Sequence, residues 1–502
     1  MSLSANPTAP GIPRLKASAV RFGILPEPQS QPNTAQIPKF VNVLTPLKTT
    51  MTLLDDEQTR ICVICLDWTA VPLHVTRHWS RKLSAELHIP PEQVLFFNSH
   101  NHSDIPLIAG PPRFLEWGMP PYEEAEVHLN GVGEELERQL LENAHRLADE
   151  LQPVHVYWGT AQEDRITYNR KGRRPDGTTF FMREEDRLLE GEDFRGDIDT
   201  QAPIVVFRNL HGDAVAAWIQ FTGHPVTSYH PENPVVHGDY PQISCDFVGR
   251  HLGAHSDVPV GFFQGCCGDV NAKGMFRGGA EMATQLGEMI GQSYVDAIPG
   301  LTLSVQDGMD FVELKADIPL SGLPSEEVLQ KELEEIEDFI ERARSGDPDT
   351  LTCAGLNFPR DLSPAYRGGL VERIRHWTVW ALAQWQSKTA EQLPRVFPMP
   401  FWALRVGDVG IVAMPCEPFQ EVGREIRKHS PFPLTIPCAY ANYVTGYMPD
   451  ETSIGDREYM SSFHRYSALP DQSIRPRPPF AKPGGNVIAQ TAVQYFRELN
   501  NR

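Results

Sequence analysis

Apolar segments alternate with amphipathic segments along the chain, and this alternation predicts an α/β fold. Continuous apolar runs at residues 60–68 and 94–97 are typical of buried strands. The segment between them, HVTRHWSRKLSAELH, carries apolar residues at helical spacing, so the three segments together predict a strand–helix–strand unit. A longer helix is predicted from about Glu123 to Leu151.

Two segments with alternating apolar positions predict β-hairpins. The first, PIVVFRNLHGDAVAAWIQF, divides at His211-Gly212-Asp213, and the second, FWALRVGDVGIVAMP, divides at Gly407-Asp408. Residues 258–265 form another apolar strand, and amphipathic helices are predicted over 279–298, 325–346 and 418–429. The pattern as a whole therefore predicts mixed β-sheets with flanking helices.

Composition and charge exclude several classes of protein. The 502 residues include 45 Lys and Arg against 65 Asp and Glu, and the net charge of −20 repels nucleic acid and anionic membranes. No apolar run approaches the roughly 18 residues of a spanning helix, so stable membrane insertion is not expected. The first 25 residues lack the pattern of a secretory signal, which predicts a cytoplasmic protein unless a leader has been removed.

Candidate chemistry collects where the predicted strands end. His100 and His102 follow the strand VLFF, and in extended chain such a pair points to one face, where it can supply a metal ligand and a neighbouring acid or base. His224 follows the strand AAWIQF, Asp269 follows VPVGFFQ, and Glu417 follows IVAMP. Each position taken alone also fits an ordinary polar turn or a helix cap. Four such strand ends together indicate a functional site of an α/β sheet.

The motifs at these strand ends carry a family resemblance. In chain order they are NSHNHSD, TGHPVTS, HGDYP, QGCCGDVN, MPCEPF and NYVTGYMP. This set resembles the catalytic domain of the neutral (non-lysosomal) ceramidases and their bacterial relatives. The resemblance implies a catalytic domain over residues 17–465, with a flexible N-terminal extension at 1–16. A Pro-rich segment and a C-terminal helix, residues 466–502, are expected to pack on that domain.

The resemblance also implies a zinc site. Its ligands would be His100, His224, Glu417 and Tyr447. Two imidazoles and a carboxylate are a common zinc set for hydrolysis, with the phenol oxygen as an additional, weaker ligand.

The remaining site residues implied by the resemblance surround this zinc. His102 would lie beside the metal, placed to move a proton or to hold the tetrahedral intermediate. Arg170 and Tyr459 would donate hydrogen bonds to the developing oxyanion or to a polar group of the substrate. Asp269 would orient the groups that contact the metal.

Two departures from the family pattern bear on the substrate. The ceramidases have a serine two residues after the aspartate, where this chain has Asn271, so the pocket is expected to lack a hydroxyl. They also continue into a C-terminal β-sandwich domain, which is not expected here because the sequence ends soon after NVIAQTAVQYFREL. Together these departures predict a substrate other than membrane ceramide.

The sequence therefore predicts a zinc-dependent hydrolase that cleaves a carboxamide (N-acyl) bond. Two alternatives stay open: a zinc-dependent esterase or lactonase, and a zinc-bearing binding protein without turnover. The expected partner is a small N-acyl or ester substrate rather than nucleic acid, and the sequence leaves open whether the chain forms a homo-oligomer.

Overall fold

The computed structural model describes most of the chain. The described residues are 12–25, 42–109, 115–122, 125–175, 179–191, 194–253, 256–455, 460–468 and 475–501. The strands are β1 (Lys16–Ile24), β2 (Asn42–Val43), β3 (Leu47–Asp55), β4 (Arg60–Leu66), β5 (Val94–Asn98), β6 (Gln152–Gln162), β7 (Thr167–Asn169), β8 (Lys171–Arg173), β9 (Thr179–Phe181), β10 (Gln201–Asn209), β11 (Ala214–Phe221), β12 (Val235–Val236), β13 (Val260–Gln264), β14 (Val270–Ala272), β15 (Thr302–Leu303), β16 (Met309–Pro319), β17 (Thr352–Cys353), β18 (Leu356–Asn357), β19 (Val396–Val406), β20 (Val409–Ala413), β21 (Glu417–Pro418), β22 (Leu434–Cys438) and β23 (Tyr447–Met448). The α-helices are α1 (Leu73–Leu87), α2 (Gly131–Asp149), α3 (Glu184–Arg187), α4 (Asp239–Leu252), α5 (Gly279–Ala297), α6 (Glu326–Arg344), α7 (Pro364–Gln386), α8 (Gln420–His429) and α9 (Asn486–Asn500).

Two mixed β-sheets form the centre of the molecule. The larger sheet has the strand order β13-β11-β10-β6-β1-β3-β4-β5, with β15 added beside β6, and the smaller has the order β16-β19-β20-β22. Each sheet contains antiparallel pairs together with parallel pairs, which are β4 with β5, β11 with β13, and β20 with β22. The predicted mixed α/β architecture is confirmed.

The sheets pack face to face, and helices cover their outer faces. Side chains such as Phe97, Trp218 and Phe263 from the larger sheet share one core with Leu404 and Ile411 from the smaller sheet. The outer face of the larger sheet is covered by α1, α2, α4 and α5, and that of the smaller sheet by α8 and α9. The result is a four-layer sandwich. Strand β4 is buried along almost its whole length, which explains its continuous apolar sequence RICVICL.

Local patterns predicted the central elements well. The strand–helix–strand unit is β4, α1 and β5, with the two strands parallel. The two hairpins are β10 with β11 and β19 with β20, and each turn contains a glycine at positive φ, Gly212 at 89° and Gly407 at 58°. These turns need that backbone conformation, which glycine adopts at little steric cost.

Helix α2 begins later than the sequence pattern predicted. The structure starts it at Gly131 rather than near Glu123, because the Asn130 side chain caps it. The Oδ1 atom of Asn130 accepts hydrogen bonds from the N–H groups of Val132 and Gly133, both at 3.0 Å.

Residues near both ends of the described chain pack against the two sheets. The backbone N–H of Arg14 donates to Asp307, and Lys16 already begins β1, whereas residues 1–11 of the predicted extension lie outside the described residues. Helix α9 packs against the smaller sheet and α8. A 3-10 helix at Met460–Ser467 runs across residue 465, so this element continues past the predicted end of the catalytic domain. Among the described helices, none has the length and hydropathy that crossing a bilayer requires.

The cap of α2 provides a test of the fold. We expect Asn130→Ala to lower the free energy of unfolding by about 1 kcal/mol, because two N–H groups at the helix start lose their acceptor. Asn130→Ser retains an N-cap acceptor and is the matched control. Denaturation in urea measures both variants, and equal stability of Asn130→Ala and the parent would contradict the assigned cap.

Candidate metal centre

Three strand ends bring two imidazoles and a carboxylate together. His100 lies two residues after β5, His224 three residues after β11, and Glu417 four residues after β20. The Oε2 atom of Glu417 lies 3.4 Å from Nε2 of His100 and 3.3 Å from Nε2 of His224. All three residues are buried. The carboxyl ends of the parallel strand pairs therefore meet at a single point between the two sheets.

Backbone carbonyls settle which nitrogen of each ring carries the proton. Nδ1 of His100 lies 2.9 Å from the carbonyl oxygen of Thr69, and Nδ1 of His224 lies 3.2 Å from that of Val270. A carbonyl only accepts, so both Nδ1 atoms donate, and in its neutral form each ring has its lone pair at Nε2, the atom that faces Glu417. Three acceptor atoms thus converge, an arrangement that a cation stabilises. The donor set of two nitrogens and one carboxylate oxygen fits zinc.

Burial lowers the pKa values of two of the histidines. Burial first, and then the positive charge of Arg170, lower the pKa of His224 to about 3. Burial also lowers the pKa of His102 well below its usual value, and His100 and His224 add to this effect. Neutral imidazoles and an ionised carboxylate are the metal-binding forms.

Tyr447 reaches the site through pairing of short strands. Strand β21 pairs in parallel with β23, so that Glu417 lies opposite Tyr447. The ring of Tyr447 stacks near that of His224, with the centroids 6.4 Å apart. Its hydroxyl accepts a hydrogen bond from Nη2 of Arg170 at 3.0 Å. The structure thus places all four residues of the predicted ligand set at one centre.

His102 lies beside this centre and is more accessible than His100. Its Nε2 atom is 3.2 Å from Nε2 of His100, and the ligand atoms of His100, His102 and His224 all lie within 4.8 Å of one another. Its ring also faces the ring of Tyr229, with the centroids 5.2 Å apart. The geometry accommodates His102 either as a third nitrogen ligand or as a proton-handling neighbour.

Arg170 is buried and held by several contacts. Its Nη2 atom donates to the carbonyl oxygen of Gly268 at 2.9 Å and lies 3.4 Å from Nε2 of His224. Its backbone N–H donates to the carbonyl oxygen of Asp269 at 2.9 Å. The guanidinium therefore lies at the centre, as the sequence predicted.

Asp269 and Asn271 support the site without lining its cavity. Oδ1 of Asp269 accepts the backbone N–H of Gln420 at the start of α8, and Oδ2 lies 3.2 Å from Nζ of Lys171. Asn271 forms a parallel bridge with His224, and its amide donates to the hydroxyl of Tyr168 at 3.1 Å. The Asn271 amide also contacts Met275, which does line the cavity.

That placement changes the interpretation of Asn271. The sequence places this position in the pocket, whereas in the described part of the structure Asn271 borders the cavity through two lining residues, Met275 and His224. Neither Asp269 nor Asn271 is among the described residues that line the cavity. The remaining predicted site residue, Tyr459, lies outside the described residues.

Tyr440 is a site residue that sequence reasoning did not single out. Its ring stacks on that of His100 with the centroids 3.9 Å apart, and its hydroxyl donates to Oε2 of Glu417 at 3.4 Å. Both Tyr440 and His100 have positive φ, 54° and 62°, which is uncommon for residues other than glycine and often marks functional sites. The available signal was position, because Tyr440 follows β22 by two residues, as His100 follows β5.

A cavity of about 550 Å³ opens onto the centre. His100, His102, His224, Glu417, Tyr447 and Arg170 line its floor. Its walls are mostly apolar and come from β9, the β17–β18 region, α7, the 3-10 helix at Met460–Ser467 and a short 3-10 helix at Leu115–Trp117. They include Trp117, Phe181, Leu356, Phe358, Leu370 and Tyr466. A larger groove of about 870 Å³ lies elsewhere, beside β1 and α4, and contains none of the metal-centre residues.

Two solved structures share this arrangement of elements. A crystal structure of neutral ceramidase from Pseudomonas aeruginosa matches with a TM-score of 0.61 at 13% identity, over 97% of this chain and 75% of that one. The chain has a ceramidase-like fold. A ceramidase complexed with C2 matches with a TM-score of 0.59 at 14% identity, over 97% of this chain and 76% of that one.

The resemblance first stated from short motifs is therefore confirmed at the level of the fold. No protein-family model matches the chain, and no curated protein matches its sequence. The likeness to the ceramidase structures is therefore one of fold, at 13% and 14% sequence identity.

The converging acceptors predict metal binding. We expect about one zinc ion per chain, and we expect Glu417→Ala and His224→Ala to weaken zinc affinity by orders of magnitude, since each removes an atom from a closed donor set. Glu421→Ala, on the outer side of α8, is the matched control. Elemental analysis after dialysis measures the content, and stoichiometric zinc in both site variants would overturn the ligand assignment.

Proposed function

We propose that the protein is a zinc-dependent hydrolase that cleaves a carboxamide, the N-acyl bond of a small substrate. The observation that carries the proposal is the convergence of Glu417, His100 and His224 at the floor of an apolar cavity. The ceramidase-like fold supports the same reaction class, since neutral ceramidase is the protein named in the similar structure.

Four side chains would hold the metal: His100, His224, Glu417 and Tyr447. When bound, zinc supplies a nucleophile from water near neutral pH and polarises the acyl carbonyl. The carbonyls of Thr69 and Val270 keep the two rings in the tautomer that presents Nε2. Tyr440 stacks on the His100 ring and limits its rotation.

His102 would move the proton. Its imidazole lines the cavity, and a neutral imidazole nitrogen can accept a proton as water attacks. The same ring can return that proton to the departing amine. Across the step, the acyl carbon gains the water oxygen, the C–N bond breaks, and the amine nitrogen gains the proton.

Arg170 would stabilise the charge that develops on the acyl oxygen. Its guanidinium lines the cavity and is fixed by the Gly268 carbonyl and the Tyr447 hydroxyl, so it is already oriented before the substrate binds. The resemblance assigns Tyr459 as a second donor. The apolar wall would bind the acyl chain and exclude water, because burial of methylene groups is favourable.

His100 and His102 are distinguished by separate measurements of zinc and turnover. We expect His100→Ala to lose zinc and activity together. His102→Ala should keep zinc while its rate falls by a factor on the order of 10² to 10⁴, the usual contribution of a positioned acid or base. Both quantities are measured on the same preparations. A zinc-free His102→Ala protein would instead identify His102 as a ligand.

A substrate panel tests the reaction class. We expect hydrolysis of small, water-soluble N-acyl amides, little turnover of long-chain ceramide in detergent, and loss of activity on chelation with recovery on adding zinc. Esters and lactones of the same acyl groups are the comparison set. Faster cleavage of those esters with no cleavage of any amide would replace the amidase assignment by the esterase alternative.

A further inference from the structure

One face of α7 presents a cation at the mouth of the cavity. Tyr366, Leu370 and Arg373 lie four and three residues apart, so they share a face of the helix, and all three line the cavity. Tyr229 and Tyr466 line the same region from other elements. An arginine therefore stands among tyrosine hydroxyls at the edge of an otherwise apolar wall.

Arg373 differs from its neighbours on α7 in having no protein partner among the described residues. Arg375 forms an ion pair with Glu337 at 2.9 Å, and the guanidinium of Arg367 donates to the carbonyl of Thr350 at 2.6 Å. Arg373 is exposed and forms no comparable ion pair or hydrogen bond in the described part of the chain. Burial raises the pKa values of Tyr229 and Tyr466, and the positive charge of Arg373 partly offsets this rise. Arg373 therefore lies near both tyrosine hydroxyls.

The cavity offers this guanidinium no carboxylate. Among the described residues of the lining, the only acidic side chain is Glu417, which is buried against His100 and His224. The chain as a whole carries a net charge of −20, so an unpaired cation at a cavity mouth is a local exception. Such a group favours an anionic ligand, and arginine matches the planar geometry of a carboxylate.

The position of Arg373 also restricts where on the substrate that carboxylate lies. The ring of Tyr229 lies 5.2 Å from that of His102, and its hydroxyl is hydrogen-bonded to Tyr366 on α7. The side chain of Tyr229 thus spans the distance from His102, the proposed proton-transfer residue, to the tyrosine hydroxyls beside Arg373. A carboxylate bound there lies near the scissile amide rather than at the end of a long acyl chain.

We infer that Arg373 binds a carboxylate on the amine side of the substrate, and that the preferred substrates are N-acyl amino acids. The cleavage step in this inference rests on the proposed function, whereas the recognition step does not. Arg373 is then a specificity-determining residue, separate from the groups that hold the metal and move the proton.

Three amides of equal chain length test the inference by kcat/KM. They are N-dodecanoylglycine, the neutral N-dodecanoylethanolamine, and the monoethanolamide of dodecanedioic acid, which carries its carboxylate at the far end of the acyl chain. We expect the glycine amide to be preferred, and Arg373→Gln to lower its kcat/KM by about 10- to 100-fold through KM while leaving the neutral amide unchanged. The matched control is Arg375→Gln, because Arg375 lies two residues further along α7 and forms an ion pair with Glu337.

A binding measurement separates recognition from catalysis. Dodecylsulfonylglycine and dodecylsulfonylethanolamine are uncleavable analogues whose affinities are measured by calorimetry with the parent protein and Arg373→Gln. The inference is supported if the parent protein binds the glycine analogue more tightly than the ethanolamine analogue and Arg373→Gln abolishes this preference. That result would stand even if no amide is cleaved, and only the proposed function would then fail.

Three results would overturn the inference while leaving the proposed function intact. The first is cleavage of the glycine amide and the neutral amide with equal efficiency. The second is an equal loss in Arg373→Gln and Arg375→Gln, which would reflect general charge rather than a contact. The third is a preference for the dodecanedioic monoamide, which would place the carboxylate on the acyl side.

Discussion

A buried carboxylate that faces two imidazole lone pairs is the constraint on which the rest of the structure depends. Glu417 is only 2% exposed, and removing its charge from water is costly unless other groups compensate. Its Oε2 atom lies within 3.4 Å of the Nε2 atoms of His100 and His224, which follow the different strands β5 and β11. The fold must therefore bring three separate strand ends to one point, and the proposed metal ion would offset the cost of burying the carboxylate there.

Supporting contacts hold these strand ends in register. Gln264, at the end of β13, donates from its side-chain amide to the carbonyls of Ser99 and Gly223, which precede the two histidines. A single buried side chain thus links both ligand loops. Because Gln264 is buried, its loss would remove the side-chain donor to the Ser99 carbonyl and leave the Gly223 carbonyl with the Tyr240 hydroxyl.

In the proposed function, metal binding and substrate binding fall to different parts of the molecule. The metal-centre residues come from strand ends between two packed sheets, where little displacement is tolerated. Much of the cavity wall comes instead from α7, β18 and the 3-10 helix, which pack on one another outside the sheets. The buried ion pair of Arg465 with Glu332 of α6 fastens the 3-10 helix to this wall. Such a division allows substrate preference to vary while the metal centre is retained.

Much of the fold was predictable because its signals are local. Apolar runs such as RICVICL and glycine turns such as that at Gly407 depend on neighbouring residues alone, so strands, hairpins and helices could be assigned directly. The short motifs at the strand ends likewise carried the resemblance that pointed to His100, His224, Glu417 and Tyr447.

Only the tertiary structure decided which side chains meet, because contact between strand ends depends on sheet order and on parallel pairing across long separations. Tyr440 and the buried role of Asn271 became visible in this way, since stacking on one ring and bridging to another strand leave no pattern in a single sequence. The same holds for Arg373, whose significance comes from the cavity it borders rather than from its neighbours on α7.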